Sequence, residues 1–184
     1  MAGKITLKGI TWNHSRGYVS VVATAQRFSE VHPEVDIVWE KRSLQEFADA
    51  PIGTLAGIYD LLVIDHPWAG FAADTGVLVP LQEHLSSEFM ADQANNSVGK
   101  SNESYQFSGN QYALAIDAAT PVAAYRPDLL ERYDVTAPDT WEDLLSLARK
   151  GYVIMPGIPL DTLMNFYMLC CTQGEDIFVD DEWA

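Results

Sequence analysis

The stretch IYDLLVID, residues 58–65, decides the fold. It is almost uniformly apolar and only as long as one strand, a pattern typical of a parallel sheet that is covered by helices on both faces. Two earlier strands are predicted at residues 4–12 and 35–41, where apolar and polar residues alternate. A helical pattern follows each strand, and three strand–helix units in succession imply right-handed crossovers. We therefore expect an α/β fold with a doubly wound, mainly parallel sheet.

Capping residues indicate where the helices begin and end. Apolar residues recur at three- and four-residue spacing from Tyr18 to Phe28, which predicts a helix that stops before residues 32–35. Ser43 and Glu46 form a capping-box pattern that begins a second, short helix. Further helices are expected after Pro67, Pro127 and Thr140 and over residues 160–173, with terminating glycines at Gly76, Gly151 and Gly174.

The remaining segments are expected to be extended or irregular. Residues 91–110 are rich in Asn, Ser and Gly, which predicts a mobile or surface connection. Strands are predicted at residues 111–117, in the segment before Pro127 and at residues 152–157. The last ten residues fit either a strand or a tail.

Composition and charge exclude several classes of function. The chain has 184 residues, of which 26 are acidic and 11 basic, so its net charge of −15 disfavours nucleic acid and anionic membrane surfaces as partners. Its apolar runs are far shorter than the roughly 18 to 20 residues that a membrane span requires. The amino terminus carries no secretory signal pattern, so we expect either a cytoplasmic chain or one whose signal has been removed.

Polar and aromatic side chains follow the predicted strands. Ligands of open parallel sheets bind at the carboxyl ends of the strands, where WNHSRG (residues 12–17), DHPWAG (65–70) and DAATP (117–121) are placed. Such groups offer hydrogen-bond partners and flat apolar faces to a neutral polyol, and Arg16 adds a fork for a carboxylate or phosphate. The candidate ligand-binding residues are Trp12, Asn13, His14, Arg16, Asp65, His66, Trp68 and Asp117.

The same residue types also have structural uses. Asn13 and His14 are common helix caps, and Trp12 and Trp68 fit a core equally well. The pattern of His14, Asp65 and His66 is too weak for a metal site, and no catalytic or nucleotide-binding motif occurs, so we expect no metal, no cofactor and no enzyme activity. The two cysteines, Cys170 and Cys171, are expected to be reduced thiols on a helix, with a strained vicinal bridge as the alternative.

Three segments resemble a known family. GNQYALAI (residues 109–116), YRPDLL (125–130) and PDTWEDLL (138–145) are similar in order and spacing to motifs of the carbohydrate-binding group of extracellular solute-binding proteins of ATP-driven importers. Residues 76–81, GVLVPL, also resemble that family's Gly-x-Leu-x-Pro-Leu segment. The chain departs from the pattern at residues 110–111 and 126–127, where the family has Lys and Asn-Lys.

The resemblance implies the periplasmic-binding-protein fold, with two α/β lobes and about twice this length. Lobe one would span residues 1–110, a crossover or hinge residues 111–125, and a partial lobe two residues 126–184. A lobe that lacks its later strands would expose apolar surface, so self-association is expected if the chain is truncated.

The resemblance also implies a function. The protein would capture a carbohydrate or polyol between two lobes without chemistry, deliver it to an ABC permease and lie in the periplasm or outside the cell. Gly157 joins the candidate ligand-binding residues on this ground. Two alternatives stay open: an intracellular ligand sensor or interaction module on the same scaffold, and an enzyme.

Overall fold

The chain divides into two compact units at the Ala118–Ala119 bond. The fold is taken from a computed structural model that describes residues 3–175. We call the part that ends at Ala118 unit one and the part that begins at Ala119 unit two, and each is described by itself.

Unit one is built on a three-stranded parallel sheet. Strand β1 (Ile5–Trp12) lies in the middle, β2 (Val35–Arg42) pairs with it along its whole length, and β3 (Leu61–Leu62) pairs on the other side. The register sets Ile5 opposite Val35 and Gly9 opposite Leu61. The predicted α/β class with a parallel sheet is confirmed.

The predicted third strand is too long. Residues 58–65 were expected to be a strand, but the ladder covers only Leu61–Leu62. The amides of Ile58 and Tyr59 instead donate to the Leu55 carbonyl and close a short helix, α3 (Ile52–Ala56), that the sequence pattern did not indicate. Hydrogen bonding to β1 begins only at the Asp60 amide, which donates to the Lys8 carbonyl.

Three of the other helices of unit one were predicted and begin at their predicted caps, and a fourth was not predicted. In α1 (Ser15–Val31) the cap is His14, and in α2 (Leu44–Asp49) it is the Ser43–Glu46 capping box. Helix α4 (Pro67–Thr75) starts on its proline and ends at Gly76, whose φ of 64° is left-handed. Helix α5 (Ser87–Asn96) is capped by the Ser86 hydroxyl.

Two apolar clusters form the core of unit one. Trp12, Phe47 and Val63 lie together where the strands end, with the Trp12 and Phe47 rings 5.2 Å apart. Ile52, Ile64 and Ala72 form the second cluster. Trp12 is 7% exposed, so it has the core role that was one of its two predictions, and its contact with ligand stays a prediction.

The prediction of a mobile or surface connection at residues 91–110 is wrong in part. Helix α5 extends into it, and β4 (Gln106–Phe107) and β5 (Asn110–Gln111) form an antiparallel hairpin. Asn102 and Gln111 are buried, and the Gln111 side-chain amide donates to the carbonyls of Asn102 and Ala113 at 3.0 and 2.6 Å. Buried amide pairing, which composition does not reveal, orders this segment.

The regular secondary structure in the described part of unit two consists of helices. Helix α6 (Pro127–Arg132) starts on its proline, α7 (Trp141–Arg149) on the Thr140–Asp143 capping box, and α8 (Pro159–Thr172) is followed by Gly174 with a φ of 80°. These helices were predicted.

Strands were predicted for residues 111–117, before Pro127 and at 152–157. Of these residues only Gln111, the last residue of β5, lies in a strand, so the rest of the prediction is wrong. Residues 112–126 and 152–158 form neither helix nor strand. A strand needs a hydrogen-bonded neighbour, and the described part of unit two offers none; Ile154 is 95% exposed. The strand or tail predicted for the last ten residues lies, apart from Glu175, outside the described residues. Self-association stays a prediction.

Gly17 provides a test of the core. A Cβ at this position would lie 2.3 Å from the ring of the buried Trp12, so Gly17→Ala would overpack the cluster in spite of alanine's higher helix propensity. We expect Gly17→Ala to lower the free energy of unfolding by about 1–3 kcal/mol, measured by urea denaturation with tryptophan fluorescence. Gly53→Ala in α3 is the control, because apart from its chain neighbours and the backbone of its own helix no atom lies within 4 Å of the place its methyl group would take, and stability should hold or rise. Equal midpoints for both variants would contradict the tight Trp12 contact.

Candidate ligand-binding site

The carboxyl ends of β1 and β3 lie at the same edge of the sheet, because all three strands are parallel and β1 is central. Residues 13–16 leave β1 at this edge and residues 65–68 follow the segment that contains β3. The predicted site residues of unit one therefore start from one edge, where ligands of open parallel sheets bind.

His14 is a helix cap. Its Nδ1 accepts a hydrogen bond from the Arg16 amide at 3.1 Å, so the ring proton of the neutral imidazole is on Nε2, which remains available as a donor. His14 therefore has the helix-capping role that the sequence offered as the alternative to ligand contact. The side chain of Asn13 is exposed, and its backbone amide donates to the Arg42 carbonyl at 2.7 Å.

Arg16 and Asp117 are brought together. The Arg16 Nη1 lies 3.2 Å from the Asp117 Oδ2, so an ion pair joins the first turn of α1 to the irregular segment after the hairpin. The guanidinium was expected to offer a fork to an anionic ligand. In this structure it is engaged by a carboxylate of the same chain instead.

Tyr105 is a site residue that sequence reasoning missed. Its hydroxyl donates to the Ile64 carbonyl at 3.5 Å, next to Asp65. Burial raises the pKa of the Tyr105 phenol, and the nearby carboxylates of Asp65 and Asp117 raise it further. The phenol thus stays protonated and donates to the Ile64 carbonyl, within the electrostatic influence of two carboxylates. The one signal for it is an aromatic pair, Tyr105 and Phe107, in a segment that is otherwise polar.

Asp65 and His66 form the loop that leads into α4. The Asp65 Oδ1 accepts from the His66 amide at 3.0 Å and lies 3.9 Å from the His66 Nδ1. Both side chains are partly open to solvent, with His66 at 56% and Asp65 at 41% of their surface. Asp65 therefore presents a carboxylate at the edge, beside Tyr105.

The remaining candidates occupy different surroundings. Trp68 is partly buried against the second core cluster, together with Tyr105, and its ring meets that of Phe71 edge-on at 6.1 Å. Gly157 lies exposed in unit two, between α7 and α8. Their contact with ligand stays a prediction, as it does for the other candidates.

Open grooves elsewhere are poorer candidates. One of about 540 Å³ runs between α1 and the side of β2, past Tyr18 and Trp39, and one of about 740 Å³ lies between α7 and α8, beside Trp141 and Leu169. Neither lies at the carboxyl end of a strand, where successive crossovers diverge. We therefore place the site at the sheet edge.

The described residues limit other kinds of site. Within residues 3–175, no group of three or more His, Cys, Asp and Glu side chains is positioned to hold a metal ion. Cys170 and Cys171 are both free thiols. No helix in the part of the chain that the structure describes is long and apolar enough to span a bilayer. The arrangement at the edge supplies hydrogen-bond donors and acceptors to a small polar molecule.

Comparison with known proteins identifies relatives. The sequence model of a family described as bacterial extracellular solute-binding protein matches residues 11–168. The maltotriose-binding protein of Pyrococcus abyssi is 26% identical over 129 residues, which cover 70% of this chain and 26% of that protein. The mannitol-binding protein of Pseudomonas aeruginosa is 28% identical over 128 residues, which cover 67% and 28%. The chain thus spans about a quarter of the length of these curated relatives.

Solved structures share the fold. The ABC substrate-binding protein Lmo0181 from Listeria monocytogenes, in complex with cycloalternan, has a TM-score of 0.71 at 18% identity. The matched region covers 97% of this chain and 47% of the Listeria chain. A solute-binding protein from Agrobacterium vitis S4 with bound D-mannitol has a TM-score of 0.52 at 21% identity and covers 72% and 32%. These similarities show the periplasmic-binding-protein fold.

The convergence at Tyr105 can be tested without a ligand. Asp65→Asn and Asp117→Asn should each lower the pKa of Tyr105, because each removes a negative charge that disfavours the phenolate; burial should still hold it above its ordinary value. Asp74→Asn, at an exposed position of α4, is the control and should leave the pKa unchanged. The measurement is a pH titration of ring-labelled tyrosines by NMR, with Tyr105→Phe to assign the signal. An unmoved signal in either site variant would show that its carboxylate lies elsewhere.

Proposed function

We propose that this chain, which belongs to the family of bacterial extracellular solute-binding proteins, binds a carbohydrate or polyol at the edge of its parallel sheet. The family match over residues 11–168 is the observation that carries the proposal. The convergence of Asp65, Tyr105, Arg16 and Asp117 at the carboxyl ends of the strands supports its location.

The chemistry of the edge suits hydroxyl groups. A sugar hydroxyl donates one hydrogen bond and can also accept, so it is best held between a carboxylate, which only accepts, and a group that donates. Asp65 provides the first kind of group and the His14 Nε2 provides the second. The Tyr105 hydroxyl, whose proton is donated to the Ile64 carbonyl, can accept a hydrogen bond through its oxygen. The partly buried Trp68 offers an apolar ring edge in the first turn of α4, three residues after Asp65.

The ligand class follows from the relatives. The two curated relatives are named for maltotriose and mannitol, and the structural neighbours were solved with cycloalternan and D-mannitol. Maltotriose, cycloalternan and mannitol are all neutral and rich in hydroxyl groups. We infer that this chain takes a compound of the same class.

The wider setting is also a proposal, because the chain spans only about a quarter of its curated relatives. As a member of its family it would act outside the cytoplasm and pass its ligand to an ABC permease, with Gly157 and its surroundings in unit two as further ligand contacts. No chemistry on the ligand is proposed, since the family consists of binding proteins. Turnover of a bound sugar by the purified chain would favour the enzyme alternative.

Isothermal titration tests the ligand class and the site together. D-mannitol, maltotriose and mannotriose are titrated into the chain, with inorganic phosphate and L-glutamate as ligands of other classes. We expect saturable heat from at least one carbohydrate and none from phosphate or glutamate. Asp65→Asn should weaken the binding about tenfold or more, because a hydrogen bond to a charged group contributes about 1.5–3 kcal/mol.

The control for this titration is Asp74→Asn, which removes the same formal charge from an exposed helix position and should leave the dissociation constant unchanged. The absence of heat from every carbohydrate would refute the proposed ligand class. Carbohydrate binding that is equally strong in Asp65→Asn would refute the location.

A further inference from the structure

The charges at the sheet edge do not balance. Asp65 and Asp117 both act on the Tyr105 phenol, and Arg16 is the basic side chain paired to one of them. Arg42, a second guanidinium near this edge, is held by the Val63 and Glu46 carbonyls and interacts with the Glu46 carboxylate, so Asp65 is left without an arginine partner. The chain as a whole is negative, with a net charge of −15.

The guanidinium of Arg16 is already used. Its Nη1 lies 3.2 Å from the Asp117 Oδ2, and the Asp117 side chain is only 26% exposed. If Arg16 turned to an anionic ligand, it would leave the more buried Asp117 carboxylate unpaired, next to a second carboxylate and a phenol. An anionic ligand would have to compete with the Asp117 carboxylate for Arg16, so Arg16 is a weaker receptor for an anion here than an unengaged guanidinium would be.

Asp65 is the uncompensated charge. Within the described residues its one ion-pair partner is His66, whose Nδ1 lies 3.9 Å away and is charged only when the ring is protonated. With 41% of its side chain exposed, the Asp65 carboxylate is accessible to a molecule that binds at the edge. A carboxylate or phosphate brought there would meet a like charge, whereas a hydroxyl or an ammonium group would find an acceptor.

We propose that Asp65, left unpaired because Asp117 holds Arg16, is a specificity residue that rejects anionic carbohydrates such as sugar acids and sugar phosphates. The site accepts neutral polyols and favours a protonated amino group at the position nearest Asp65. This inference rests on the proposed function, since it refines the ligand class of the same site.

Matched ligands that differ in one charged group test this selection. The probes are D-mannitol, 1-amino-1-deoxy-D-mannitol and D-mannonate, with maltotriose and maltotrionate as a second series. Titrations are run at pH 8 and at low salt, where electrostatic interactions are least screened. We expect mannonate to bind at least about tenfold more weakly than mannitol and the amine to bind at least as tightly as mannitol. The difference in affinity between mannitol and mannonate should become smaller in high salt.

Variants assign the selection to residues. Asp65→Asn should bring the neutral and anionic members of a series to within about threefold of each other, because the repelling charge is gone. Asp117→Asn should also improve anion binding, because it frees Arg16. Asp74→Asn changes the chain's net charge equally. It should leave the ratio of the dissociation constants for the anionic and neutral ligands as it is in the unaltered chain.

The outcomes separate the two proposals. If no neutral member of either series binds, the proposed function fails and the selection fails with it. If a neutral member binds and its anionic counterpart binds as tightly or more tightly, the function stands and the charge selection is overturned. A ratio that is the same in Asp65→Asn and in the unaltered chain overturns the role of Asp65.

Discussion

The buried guanidinium of Arg42 fixes the edge of the sheet on which the site depends. Arg42 is the last residue of β2, and its two terminal nitrogens donate to the Val63 carbonyl beyond β3 at 3.1 Å and to the Glu46 carbonyl in α2 at 3.2 Å. Burial lowers the pKa of Arg42, which is the signature of a charge removed from water. The two carbonyls and the Phe47 ring, 4.9 Å away, offset that loss.

One residue therefore sets the exits of all three strands. The Arg42 carbonyl also accepts from the Asn13 amide, at the point where the chain leaves β1. A second buried residue, Gln111, does the same for the segment that leads to Asp117: its side chain bonds to Asn102 and Ala113, and its backbone amide donates to the Gln82 side chain. Polar groups far apart in sequence can meet at Tyr105 because buried hydrogen bonds hold the segments that carry them.

The sequence predicts the parts of this structure that depend on local patterns. Capping residues such as Ser43 and Thr140 and the left-handed Gly76 mark helix ends because their interactions are made within a few residues. The strands after Gln111 were mispredicted because a strand depends on a distant neighbour, which residues 152–158 do not find. Tyr105 was missed for the same reason: its importance comes from Asp65 and Asp117, which are remote from it in sequence.

The Arg16–Asp117 pair shows why such remote contacts matter more for recognition than for stability. Half of the Arg16 side chain is exposed, and exposed ion pairs contribute only about 0–1 kcal/mol to folding. The pair is therefore a minor term in the stability of unit one. Its larger effect is on the electrostatics of the edge, where it offsets the Asp117 carboxylate and engages the Arg16 guanidinium. Asp65 is then the carboxylate that an arriving ligand meets without an arginine partner.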